Sequence, residues 1–210
     1  LFFYLFFNSK LWNFTFMAEI KSLCVYCGSR DGATPGYTRI AREIGKILAQ
    51  RGISLVYGGG SVGMMGHMAR AVLAEGGKVV GVIPGHLDEK EVTFEQCSEL
   101  HVVGSMHARK KMMFELSDGY LVLPGGVGTL EEMIEVGTWR QFRLHEKPII
   151  VLNISGFWKP LIQMLNLMSQ QGFAGEELKE IFTFVNTVEE VMPAFDEAED
   201  PWLQSDTSQF

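Results

Sequence analysis

Four short stretches hold residue types that could grip an anion and break a bond beside it. The run Leu123-Pro124-Gly125-Gly126-Val127-Gly128-Thr129-Leu130-Glu131-Glu132 is a glycine loop leading straight into a helical pattern. Such a loop turns unpaired N–H groups and the positive end of a helix dipole towards one spot, which suits a phosphate. Thr129 and Glu132 also stand at capping-box spacing, Thr as N-cap and Glu three residues on, so a cap worth about 1 kcal/mol competes with a chemical role for Glu132. The stretch Gly104-Ser105-Met106-His107-Ala108-Arg109-Lys110-Lys111 puts three cations in the first turns of a helix with Ser105 as its N-cap. Cations there oppose the dipole, so either a bound anion compensates them or their long side chains reach neighbouring carboxylates.

Upstream, Cys27-Gly28-Ser29-Arg30 and Gly58-Gly59-Gly60-Ser61-Val62-Gly63-Met64-Met65-Gly66 can present backbone N–H groups in the same way. The second run fits G-x-G-x-x-G, but a dinucleotide site wants its glycines after the first strand and an acid at the end of the next. Here the following strand ends Val82-Ile83-Pro84-Gly85, and no Gly-Lys-Ser/Thr closes either run, so neither an NAD fingerprint nor a Walker loop is read. The glycine density exceeds what a turn needs and points to close approach of backbone to a ligand. Cys24-Val25-Tyr26-Cys27 closes a strand rather than opening a helix, so it reads as packing and not as a redox pair. His67, His86, His101, His107 and His145 show no metal-ligand spacing, and no metal is expected.

These turns need a frame that brings them to one edge. Short apolar runs alternate with longer amphipathic ones, which is the pattern of an α/β protein with a parallel sheet covered on both faces. Strands are expected at 22–27, 54–57, 79–83, 99–103, 119–123 and 149–152, with a short seventh at 182–185. Helices are expected at 35–50, 63–74, 106–117, 130–142, 157–171 and 188–195. In such sheets ligands sit beyond the carboxyl ends of the strands, where all four stretches fall.

Composition fits a single domain. The 210 residues are 47% hydrophobic and 20% charged, enough to bury one sizeable core. A net charge of -7 argues against a nucleic-acid partner or an anionic membrane surface. Three cysteines form no disulfide framework, which fits a reduced, cytoplasmic setting. Residues 1–16 are apolar and aromatic, but Asn8, Ser9 and Lys10 interrupt them short of the ~20 residues of a membrane span. They read as an upstream extension with Met17 as the natural start, followed by a domain at 17–196 and an acidic tail at 197–210 expected to fray.

Met106–Met112, followed by Pro124–Glu132 and preceded by Val56–Gly66, resembles the Lonely Guy family of cytokinin-activating phosphoribohydrolases, often labelled lysine decarboxylases. The likeness runs from about Lys21 to Phe184. It implies a Rossmann-like fold, a homodimer, and hydrolysis of the N-glycosidic bond of a purine nucleoside 5′-monophosphate to free base and ribose 5-phosphate, without a cofactor. Carried across by motif, the catalytic pair falls on Arg109 and Glu132. Substrate contacts fall on Glu91, on Arg109 with Lys110, on the loop Gly126, Val127, Gly128, Thr129, Leu130, Glu131 and Glu132, and on Thr138. Gly28, Ser29, Gly59 and Gly60 join them from the glycine turns. Val127 stands where plant members often carry an aromatic residue, and Arg140-Gln141-Phe142-Arg143 is more basic than its counterpart there.

Glycosidic cleavage builds positive charge on the sugar, so a carboxylate against the ribose stabilises it. With Glu132 at a helix N-terminus beside Arg109, its pKa is expected to be low and its charge permanent. Two rival classes follow from the same motifs. A pyridoxal-phosphate decarboxylase needs a Schiff-base lysine with a pyridinium partner, a constellation the motifs do not supply. A carrier resembling molybdenum-cofactor carriers needs the phosphate cradle but no carboxylate against a ribose.

Overall fold

The structure is a computed structural model and describes residues 20–85, 93–175 and 177–198. The extension at 1–16, Met17, His86, Glu91 and the tail from residue 199 onward lie outside the described residues.

Seven strands form one parallel sheet in the order β4-β3-β2-β1-β5-β6-β7. They are β1 (Ser22–Tyr26), β2 (Ser54–Tyr57), β3 (Val79–Pro84), β4 (Glu99–Val103), β5 (Gly119–Val122), β6 (Ile149–Leu152) and β7 (Thr183–Val185). The helices are α1 (Pro35–Gln50), α2 (Gly63–Ala74), α3 (Met106–Glu115), α4 (Val127–Gln141), α5 (Lys159–Gln170), α6 (Leu178–Ile181) and α7 (Val191–Asp196). The strands on one side of β1 come from the first half of the chain and those on the other side from the second. The order therefore reverses between β1 and β5, which opens a crevice at their carboxyl ends.

The period-two alternation of each strand builds two cores. Leu23 and Val25 of β1, with Leu121 of β5 and Ile150 of β6, pack against α1, α2 and α7. Cys24, Tyr26, Tyr120, Val122, Ile149 and Val151 face the layer of α3, α4, α5 and α6. Both faces are buried, as an all-parallel sheet requires.

Expected and observed strands agree to within one residue, while several helix ends differ for local reasons. Helix α3 stops at Glu115, where the Lys147 ammonium donates to the Phe114 carbonyl at 2.6 Å and sits 4.0 Å over its ring. Helix α4 starts at Val127, three residues before the expected position, because Gly126 takes the extended N-cap conformation. A 3₁₀ turn, Ile154–Gly156, displaces the start of α5 to Lys159. Helix α6 is a single turn, too short to leave a periodic signal. Helix α7 starts at Val191, because the Asn186 and Thr187 N–H groups donate to Glu190 and hold that stretch as a turn.

Candidate active site

Three strand-to-helix turns are bonded into one platform. The Gly28 N–H after β1 donates to the Pro124 carbonyl after β5 at 3.1 Å, and the Met64 N–H of α2 donates to the Gly28 carbonyl at 3.1 Å. Gly63 lies at φ +60, and a Cβ there would collide with the Ser29 backbone, so the turn after β2 closes on the turn after β1 only with glycine. Gly59 and Gly60 serve the platform differently. The Gly59 carbonyl accepts from the Phe94 N–H at 2.9 Å, and Gly60 bridges Thr93.

A cavity of about 330 Å³ opens on this platform, lined by Gly28, Ser29, Arg30, Gly32, Tyr37, Met64, Pro124, Gly125, Gly126 and Phe157. Tyr37 and Phe157 meet edge to face in its wall. Arg30 belongs to the anion-presenting turn read from the sequence, whereas Gly32, Tyr37 and Phe157 carry no such signal beyond their place near a glycine turn or a helix start. A larger concavity, about 630 Å³, lies between β7 and α7 and holds none of the expected site residues.

The first turn of α4 borders the cavity. Its N–H groups have no partner within the helix and point past Gly126. Thr129 is buried beneath Gly125, where any Cβ would strike the threonine hydroxyl. A Cβ on Gly126 or Gly128 would meet open space, so neither glycine is demanded by packing. Thr129 is the third residue of α4 and not its N-cap, and the capping-box expectation for Thr129 and Glu132 is corrected accordingly.

Helix α3 supplies the cations. Ser105 is its N-cap, accepting from the Ala108 N–H at 3.1 Å. Arg109 is 8% exposed and lies across the end of β2, donating from Nη2 to the Gly58 carbonyl at 3.3 Å. A Cβ on Gly58 would overlap that guanidinium, so the glycine makes room for the arginine. Arg109 Nη2 also stands 4.0 Å from Glu132 Oε1, which brings together the two residues expected to do chemistry. Its Nε is buried and has no partner among the described residues.

Glu132 differs from expectation in its charge. Burial, reinforced by Glu131 and Glu135, pushes its carboxyl up to about 7 despite Arg109 and Lys110. The expected low pKa is therefore corrected. Glu132 sits in the second turn of α4, away from the helix terminus, and its carboxyl is packed towards Cys24, Tyr26 and Cys27 of β1 and the turn after it. Burial pushes both thiols far up, as a packing role requires.

The remaining expected contacts are dispersed. Lys110 is held by Glu131 at 2.6 Å and Glu135 at 2.9 Å, so for this cation the carboxylate alternative is the one observed. Its ammonium pKa is raised, burial opposing the shift and the two glutamates outweighing it. Thr138 donates to the Ile134 carbonyl at 2.8 Å within α4, Leu130 packs on the second core, and Val127 is 84% exposed at the rim. Ser29 is exposed and His107 faces solvent. No helix among the described residues is long and apolar enough to cross a membrane.

Residues 65–195 match the family model described as possible lysine decarboxylase. The chain is similar to a cytokinin riboside 5′-monophosphate phosphoribohydrolase of Oryza sativa subsp. japonica, 42% identical over 180 residues that cover 86% of this chain and 74% of the relative. An Arabidopsis thaliana protein of the same description is 41% identical over 187 residues, covering 86% of each. Among solved structures, the molybdenum cofactor carrier protein of Chlamydomonas reinhardtii superposes with a TM-score of 0.62 at 19% identity, over 84% of this chain and 96% of that one. The molybdenum cofactor binding protein of Rippkaea orientalis gives 0.58 at 24%, over 82% and 93%. At those identities the likeness is one of fold alone.

Proposed function

The chain belongs to the family described as possible lysine decarboxylase, and from that membership we propose that it hydrolyses the N-glycosidic bond of purine nucleoside 5′-monophosphates of cytokinin type. The products are the free base and ribose 5-phosphate. The observation that carries this reading is the buried Arg109–Glu132 pair beside an open helix N-terminus. A phosphate cradle alone would suit a carrier, whereas a carboxylate held beside it by an arginine suits a sugar that becomes cationic.

In this mechanism the 5′-phosphate takes the first N–H groups of α4 around Gly126, Gly128 and Thr129, which fixes the ribose over Glu132. Arg109 orients the Glu132 carboxylate from the end of β2. As the bond to the base breaks, positive charge grows at the sugar, and ionised Glu132 is stabilised by it just as it stabilises the sugar. Because Glu132 is buried, its ionised form meets that cation with little screening by water, and the interaction arises only as the charge develops in the transition state. Water then attacks the sugar, its hydroxyl completing ribose 5-phosphate and its remaining proton balancing the one the departing base takes up.

A Schiff-base lysine needs a depressed pKa, and Lys110, the lysine bonded into this site, is shifted the other way by its two glutamates. We further propose that residues 17–196 act as one catalytic domain, as a cytoplasmic homodimer without nucleic-acid or membrane partners. The charge of -7 and three free cysteines support that reading.

The test is to incubate the protein and its Glu132→Gln variant with AMP, isopentenyladenosine monophosphate and adenosine, and to quantify free base by chromatography. Base released from the monophosphates, absent with adenosine and lost in the variant, is the expected result. Binding of AMP without base release would favour a carrier instead.

A further inference from the structure

Two carboxylates flank Glu132 on α4, and one ammonium from α3 meets both of them. Lys110 Nζ lies 2.6 Å from Glu131 Oε1 and 2.9 Å from Glu135 Oε1, and its side chain is only 11% exposed. An ammonium has three donors, and two are committed here to short charge-assisted bonds. Reaching a substrate phosphate would mean giving up at least one of them and leaving a glutamate uncompensated beside the catalytic carboxyl.

Among the described residues, few groups face Glu132. Arg109 and Lys110 approach from α3, Glu131 and Glu135 from α4 itself, and Cys24, Tyr26 and Cys27 from the strand beneath. The strand groups are held protonated by burial, so among the described residues the charges that act on Glu132 are two cations and two anions. Arg109 stands next to Glu132 directly, while Lys110 is spent on the two anions.

Resting on the reading that ionised Glu132 drives glycosidic cleavage, we propose that Lys110 is a positioning residue. It neutralises Glu131 and Glu135 so that Glu132 can carry charge beside them at neutral pH, and it does not hold the substrate's phosphate. The same bridge ties α3 to α4 and so fixes Arg109 relative to Glu132.

The test compares the parent protein, Lys110→Met, and Lys110→Met combined with Glu131→Gln and Glu135→Gln. Two midpoints are read in each background. One is the acid limb of kcat/KM for AMP; the phosphate of AMP titrates near ~6 in every arm and cancels in the comparison. The other is the pH at which the melting-temperature gap between a Glu132→Gln version and its parent levels off, which marks the folded-state midpoint of Glu132 and needs no substrate. Lys110→Met is expected to raise both midpoints by roughly one pH unit, and the added glutamines to bring them back. At about pH 9, where Glu132 is ionised in every background, KM for AMP is expected to change by less than about threefold. Unmoved midpoints, or a rise in KM of about tenfold that the glutamines do not rescue, would overturn the proposal in favour of a phosphate contact. If no protein releases base, the hydrolase reading fails, and the melting midpoints still decide whether Lys110 sets the charge of Glu132.

Discussion

Glu132→Gln replaces a carboxyl by its neutral isostere, and the structure dictates how stability should respond. The folded protein holds Glu132 at about 7, against 4.5 when unperturbed. An acid whose folded pKa lies above its unfolded value stabilises the fold fully below the unfolded value, and that stabilisation is lost as pH rises through the folded one. The shift corresponds to about 3 kcal/mol lost by the parent protein between roughly pH 4.5 and pH 8. Glutamine resembles the protonated acid, makes similar contacts with Arg109 and does not titrate, so the variant escapes the loss. In a domain of this size each kcal/mol moves the melting temperature by about 2–4 °C, so the variant should melt about 6–12 °C higher at pH 8 and level with the parent near pH 4. Calorimetry or fluorescence melting across that range reads the difference directly, alongside base release from AMP, which the variant should have lost. A variant that melts at or below the parent at pH 8, or a gap that ignores pH, would refute the claim that burying this charge destabilises the fold.

Gly58→Ala should displace the Arg109 guanidinium from the end of β2 and lower kcat by about 100-fold, with a circular dichroism spectrum like the parent's. Gly126→Ala meets open space and should cost only the N-cap preference, about 0.5–1 kcal/mol in urea unfolding, while KM for AMP rises about tenfold if the phosphate docks there. His145 accepts at Nδ1 from the Lys147 N–H and donates from Nε2 to the Val136 carbonyl, and burial pushes its pKa down to about 4. Because that value lies below the unfolded one, its contribution is intact above pH ~6.5 and fades as pH falls towards ~4. Urea unfolding should show the parent's stability relative to His145→Gln falling by on the order of 2 kcal/mol across that window, the Glu132 contribution being common to both proteins.

The sheet and its order of elements were legible because each strand and each long helix carries its own period. The misread start of α4 shows the limit of local pattern. Thr129 and Glu132 stand at capping-box spacing, yet it is Gly126, extended just after the Pro124 carbonyl that Gly28 bonds, that caps the helix. The pairing of Arg109 with Glu132 came from motif resemblance, and the charge state of Glu132 came from neither motif nor spacing. It depends on a strand more than a hundred residues upstream that buries the carboxyl, and on Glu135 one turn further along the helix. The partners of Lys110 were equally out of reach, since the cation cluster fits an anion site and a carboxylate pair alike until helices α3 and α4 are placed side by side. Gly58 drew notice as one glycine among several, and only the arginine lying over it, 51 residues away in the chain, explains why that position holds no side chain.

That contact also orders the evolutionary paths open to the protein. Any mutation that gives position 58 a side chain expels Arg109, and any loss of Arg109 frees position 58 to accept one. On the proposed mechanism the first route cripples activity in a single step, whereas the second, once taken, lets bulk accumulate at 58 at no further functional cost. A descendant that lost the arginine while keeping its glycine loops would then find the way back closed, since regaining the arginine alone leaves it nowhere to lie.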